Sequence, residues 1–171
     1  FDLMGGLHNG SSITAYAGDW VVSVTIMALI ILGGLGFVVW EDFRTCRSFK
    51  KMTVYSKLVI FITVFLIVGG TAAFWLLERS NPATLANRPF AEQILLAMFQ
   101  SVTCRTAGFW TTAQSALTEA SRAVGSFLMF IGGSSGSTAG GLKTATFGVL
   151  VLAVLSTARG ASNLTVFKRT I

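Results

Sequence analysis

Charge is what this chain has least of. Only 12% of its 171 residues are Asp, Glu, Lys or Arg, against 53% hydrophobic, and the mean hydropathy is +0.70. That is too apolar for an ordinary soluble domain and indicates an integral membrane protein. Histidine is limited to His8, so no cluster of His, Cys and carboxylates stands ready for a transition metal, and no cofactor is expected. The two cysteines, Cys46 and Cys104, fall in regions of different depth and indicate neither a disulfide framework nor a metal site. Acids are few and peripheral, and the residues offer no nucleophile with a base beside it, so the chain is not read as an enzyme. Net charge is +6, yet the basic residues sit in short clusters beside apolar runs. Membrane orientation explains that pattern, and nucleic-acid binding does not. The first residues, Phe1-Asp2-Leu3, lack a Met and a basic leader, and the chain reads as an internal fragment of a longer protein.

What is present is a series of apolar runs. Phe1 to Gly18 carries no Lys or Arg and suits the non-cytoplasmic side, and Trp20 to Trp40 then gives twenty-one residues without a charge. That is enough for a full span with a Trp at each end, where aromatic belts form. Its Gly33-Gly34-Leu35-Gly36 is read as a site of close helix contact in preference to a hinge. From Glu41 to Lys57 the chain holds Arg44, Arg47, Lys50, Lys51 and Lys57 against Glu41 and Asp42. By the positive-inside rule this loop, 41–57, is cytoplasmic. Leu58 to Leu77, again uncharged, returns outward as an outer helix, with Gly69-Gly70 read as a packing site. Glu78 to Pro89 is the external connection that follows.

Phe90 to Val102 is only thirteen residues, roughly 20 Å as a helix, and cannot cross a hydrocarbon core of ~30 Å. It enters the membrane and ends at Thr103-Cys104-Arg105-Thr106-Ala107-Gly108-Phe109, a polar loop. Irregular backbone at membrane depth survives only where it is buried in protein or lines a watery path, so this segment is read as a re-entrant pore loop. The carboxyl end of the half-helix places about half a negative charge near the membrane centre and favours cations. Backbone carbonyls of Thr106, Ala107 and Gly108 are then candidates to replace the lost hydration shell of an ion, as carbonyl-lined channel filters do, with Gly108 keeping the strand thin. Arg105 either tunes ion occupancy or anchors the loop by pairing with Glu92 or Glu119, and the anchor is preferred.

Trp110 to Ser121 is external again, and the next passage runs inward in two pieces. Between apolar Ala123 to Ile131 and Leu142 to Ala158 stand Gly132-Gly133-Ser134-Ser135-Gly136-Ser137-Thr138-Ala139-Gly140-Gly141, ten residues with five glycines. Each Gly disfavours helix by ~1 kcal/mol relative to Ala, so a broken helix over 119–158 with an intramembrane loop at 132–141 is expected. Lys143 at its inner end either contacts that loop or snorkels to the interface. The end beyond Arg159, with Lys168 and Arg169, is basic and therefore read as cytoplasmic.

Ser101-Val102-Thr103-Cys104-Arg105-Thr106-Ala107-Gly108-Phe109, followed by Met129-Phe130-Ile131-Gly132-Gly133-Ser134-Ser135-Gly136-Ser137-Thr138-Ala139-Gly140-Gly141-Leu142-Lys143-Thr144, closely resembles the third repeat of the Trk/Ktr/HKT superfamily of potassium transporters, nearest the Ktr-type membrane subunit. The resemblance implies an all-α integral membrane fold of helix, pore-loop, helix repeats arranged as in potassium channels, four around one ion path. Residues 1–57 would end the second repeat, 58–158 would form the third with pore helix 90–102 and selectivity filter 103–109, and 159–171 would lead to the next. It implies potassium transport across the cell membrane, with sodium open as a coupled ion, and 132–141 acting as a gate. Partners would be the lipid bilayer, the remaining repeats, a second copy in a homodimer and a cytosolic ring of nucleotide-binding regulatory subunits. Cys104 stands where a Thr or small residue is expected, and Ser135 where Pro is more usual.

Three rivals remain at this point. A Walker-type phosphate loop over Gly136 to Thr144 fails because Leu142 separates the last Gly from Lys143. A carrier with discontinuous helices would need inverted rather than same-direction repeats. A structural membrane subunit would need no polar loop, and for the glycine-rich loop itself a static kink is the alternative to a gate.

Overall fold

Asp19 starts the first helix. Its carboxylate accepts from the amides of Val21 (2.8 Å) and Val22 (3.2 Å), satisfying two of the donors that a helix N-terminus leaves free. The computed structural model describes residues 12–46, 49–158, 165–166 and 169–170. The segment 1–11, with Asp2 and His8, lies outside the described residues, as do Arg47, Arg159 and Lys168.

Helix α1 runs Trp20–Leu35 and α2 runs Phe37–Cys46, with an 89° bend between them. The continuous span expected over Trp20 to Trp40 is therefore broken at Gly36. The reason is non-local: Gly36 sits at φ +78, and a Cβ there would lie 2.6 Å from the carbonyl oxygen of Ser135. The loop 132–141 occupies the corner, and the Phe37 amide donates to the Gly136 carbonyl at 3.2 Å. Trp40 ties the two arms by donating from Nε1 to Leu32 O at 3.1 Å.

Helix α3, Val54–Glu78, has 25 residues, or roughly 37 Å. Among the described residues it is the one unbroken helix long and apolar enough to cross a membrane. Thr53 caps it by accepting from Ser56 N at 3.3 Å, and the Asp42 carboxylate secures the cap, accepting from Thr53 N (3.1 Å) and Ser56 Oγ (2.5 Å). The Ser56 bond first, then those from Thr53, hold the Asp42 carboxyl below the usual carboxylate range.

Helix α4 spans Phe90–Thr103, 14 residues and roughly 21 Å, again short of a bilayer. Helix α5 is Glu119–Phe130 and α6 is Thr144–Ala158. A two-residue antiparallel pairing, β1 Thr165–Val166 with β2 Arg169–Thr170, follows. Among the described residues the fold is otherwise helical, and α3, α4 with its loop, and the broken pair α5 and α6 form one helix, pore-loop, helix unit.

Helix α4 is wedged between neighbours. Leu95, Phe99 and Val102 bury against Met27 of α1 and Ile13, while Ala97 and Cys104 join Leu58, Ile62, Leu66 and Phe74 of α3 and Leu128 of α5. Close approach to α3 depends on Gly70, where a Cβ would fall 2.3 Å from Ser101 Oγ. The Ser101 hydroxyl in turn donates to Ile67 O at 3.1 Å. Burial on both sides, about 25 cal/mol per Å² of apolar surface, is what holds so short a helix in place. Large apolar side chains such as Val21, Leu29, Phe61, Phe65 and Val68 remain exposed, the surface a membrane protein presents to lipid or to further repeats.

Candidate functional site

The chain leaves α4 through a tight turn. Cys104 N bonds Gln100 O (3.2 Å), Arg105 N bonds Val102 O (3.1 Å) and Ala107 N bonds Thr103 O (3.2 Å). Thr106 then adopts φ +71 and Gly108 φ +85. For Gly that costs nothing, but a β-branched Thr in the left-handed region is uncommon, and such strain persists only where the surroundings impose it. In a pleated strand successive carbonyls face opposite sides. Reversing the sign of φ at every second residue instead lets successive peptide planes face alike.

Thr103, Cys104 and Arg105 are buried, Thr106 is exposed, and Ala107, Gly108 and Phe109 are half-buried. The loop thus has one packed wall and one open wall. Among the described residues, no hydrogen bond ends on the carbonyl oxygens of Thr106, Ala107 or Gly108. Phe109 differs, since its carbonyl accepts from the Thr103 hydroxyl. The next residue is pinned to the segment before α1: Trp110 N donates to Ser12 Oγ (3.2 Å), and Ile13 N donates to Trp110 O (3.2 Å).

Arg105 does not pair as expected. Glu92 is engaged by Arg88, and Glu119 is exposed at the start of α5. The Arg105 guanidinium, 8% exposed, instead donates from Nη2 to Thr63 Oγ1 at 3.4 Å, beside a small cavity lined by Ile30, Gly34, Val102 and Gly133. Its position just past the carboxyl end of α4 lets the helix dipole stabilise the charge. Cys104 packs behind the loop, its Sγ 3.9 Å from Gln100 Nε2.

The second segment, 132–141, has a fixed neck and an open tip. Gly132 N bonds Leu142 O (3.0 Å), Leu142 N bonds Phe130 O (3.1 Å) and Thr144 N bonds Gly133 O (3.0 Å); the Thr144 hydroxyl adds a bond to Gly132 O (2.8 Å). Only glycine fits at the neck, because a Cβ on Gly132 would lie 1.6 Å from Gly140 O. Ser135, Gly136, Thr138 and Gly140 at the tip are exposed. Residues of three other helices restrain it: Ser134 N donates to Gly34 O (2.9 Å) and Phe37 N to Gly136 O (3.2 Å), and Tyr55 Oη shares a hydrogen bond with Ser134 Oγ (2.7 Å) and lies 3.5 Å from Ser135 O. Ser137 Oγ folds back on Ser134 O (2.6 Å). Lys143 turns back on the loop and donates to Ala139 O at 2.8 Å.

The sequence pattern gave no sign of Tyr55, a lone aromatic at a helix start, nor of Gln100 and Gln114, whose amides pair at 3.2 and 3.3 Å. Glu78 was also missed. It lies in the segment the sequence assigns to an external connection, yet it is 2% exposed, and its place at the very end of an uncharged run is the available signal.

Residues 2–171 match the family model described as TrkH, cation transport protein. The chain belongs to that family. This TrkH-family chain is 40% identical over 171 residues to the potassium/sodium uptake protein NtpJ of Enterococcus hirae, covering 100% of this chain and 37% of that protein. It is 37% identical over 164 residues to the Ktr system potassium uptake protein B of Vibrio alginolyticus, covering 94% of this chain and 36% of that one. Among solved structures it is similar to the potassium transporter TrkH from Vibrio parahaemolyticus, with a TM-score of 0.69 and 20% identity over 88% of this chain and 33% of that chain. That likeness shows the membrane fold. The TrkH-family chain thus spans 36 to 37% of the length of these curated relatives.

Proposed function

We propose that this chain supplies one helix, pore-loop, helix unit of a potassium-translocating protein of the cell membrane, with residues 103–109 as its share of a selectivity filter and 132–141 as a gate. The observation that carries the reading is the pair of left-handed residues, Thr106 and Gly108, bracketing carbonyls that receive no hydrogen bond among the described residues. Unbonded carbonyl oxygens at the negative end of a half-length helix suit a dehydrated monovalent cation. The open wall of the loop fits a filter completed by other repeats of the same path. Relatives named as potassium and potassium/sodium uptake proteins support potassium as the transported ion and keep sodium in play.

Orientation follows from charge: loop 41–57 and the end beyond 159 are cytoplasmic, so the half-helix enters from outside. Pairing as a homodimer on a cytosolic nucleotide-binding ring rests on the Ktr-type resemblance. The gate reading rests on mechanics, since the neck of 132–141 is fixed by backbone bonds while the tip hangs on a few side-chain and main-chain contacts from α1, α2 and α3.

Flux into liposomes tests this reading. Protein expressed from its complete native gene should take up potassium, or rubidium as its tracer, in preference to sodium. Tyr55→Phe deletes one restraint on the tip, worth about 1 kcal/mol, and should raise the potassium rate by up to about fivefold without changing ion preference. Absence of cation flux sinks the function, and an unaltered rate in Tyr55→Phe counts against the gate.

A further inference from the structure

Glu78 ends α3 as a buried carboxylate that neither the filter loop nor the gate loop uses. Oε1 accepts from Thr118 N and Thr118 Oγ1, both at 2.8 Å. Oε2 accepts from Asn81 Nδ2 at 2.7 Å and Thr84 Oγ1 at 2.6 Å. Four donors from three places in the chain therefore converge on one side chain. No Lys or Arg among the described residues pairs with it, and neighbouring Arg79 turns away to lie over the Trp75 ring, 5.7 Å from its centroid. A buried carboxylate without a cation persists when hydrogen bonds and a helix N-terminus compensate its charge, and here Thr118 is the N-cap of α5.

Those partners bear on the loop. Filter residues 103–109 run into 110–118 before α5 begins, and this outgoing segment is held in two ways. Gln114 pairs with Gln100 of the pore helix. Ala116 O accepts from the same Asn81 amide that binds Glu78, at 2.9 Å, and Thr118 binds Glu78 directly. A cavity of ≈ 20 Å³, with room for about one water, lies between Glu78, Gln100 and Thr112. The carboxylate is thus bonded to the far end of the strand whose near end is fixed by α4.

We infer that Glu78 is a positioning residue for ion selection: resting on the filter reading above, it fixes the outgoing limb of the loop through Thr118, Asn81 and Ala116 and so keeps the Thr106–Gly108 carbonyls at the spacing that prefers potassium. Glu78→Gln places an NH2 against donors on one side and loosens that limb. The same contacts could serve only to hold α3 to α5, in which case the amount of protein would fall while ion preference stayed.

The test compares wild type, Glu78→Gln, Asn81→Ala and Gly108→Ser, each expressed from the complete native gene in cells lacking their own potassium uptake. KM and maximal rate for potassium and for sodium are read per unit of protein in the membrane. Glu78→Gln should lower the potassium-to-sodium ratio of maximal rate over KM by about fivefold, chiefly through a higher potassium KM. Asn81→Ala, which leaves the carboxylate and Thr118 in place, should move the ratio in the same direction by less. If Glu78→Gln fails to reach the membrane, Asn81→Ala decides. A changed ratio in Gly108→Ser with an unchanged ratio in the others overturns the positioning role and leaves the filter intact. An unchanged ratio in Gly108→Ser as well overturns the filter reading, and this inference with it.

Discussion

Gly108→Ser should reduce the preference for potassium over sodium by about tenfold, read as relative uptake in a strain that cannot otherwise take up potassium. Gly108 sits at φ +85, where a side chain costs about 1–2 kcal/mol. The serine can relieve that strain only by rotating its peptide plane, which withdraws a carbonyl from the row with Thr106 and Ala107. Thr106 already bears left-handed strain at φ +71, so the two strained residues compete and the row loses its geometry. Sodium, held less strictly by a loose ring of oxygens, loses less than potassium does. Equal relative uptake of the two ions in variant and wild type would remove residues 103–109 from the filter.

Removing the tip of the second loop should act on rate instead. Deletion of residues 135–140 keeps Gly132, Gly133, Leu142 and Thr144, the residues whose bonds close the neck, and removes the exposed part. It also eliminates the Phe37 to Gly136 bond and the Lys143 to Ala139 bond. Two restraints of about 1 kcal/mol each, together with the bulk they hold in place, predict a maximal potassium rate about tenfold or more above wild type. Regulation should weaken in parallel, while the potassium-to-sodium ratio stays. A maximal rate equal to wild type at equal membrane abundance would make the segment a static kink.

Much of this arrangement is legible in sequence because it rests on local rules. The end of α4 is set by length and polarity, and the break between α5 and α6 by glycines that cannot propagate a helix. What escaped depends on partners distant in the chain. Gly33 to Gly36 looked like a small-residue contact stripe, and Gly34 does meet the loop through its carbonyl. Gly36 nevertheless bends the chain, because the Ser135 backbone, ninety-nine positions later in the numbering, fills the space a side chain would need. Arg105 is expected from its charge to find an acid, but the carboxyl end of α4 and a bond to Thr63 meet part of its need without one. Glu78 shows the converse, an acid stabilised by neutral donors whose positions only the folded chain brings together.

If a cation sheds its water onto the backbone of residues 106–108, anomalous scattering from the intact protein crystallised in rubidium or thallium should show a peak in contact with the carbonyl oxygens of Thr106, Ala107 and Gly108. A bound ion located elsewhere on the path, with those oxygens turned toward protein donors, would contradict it.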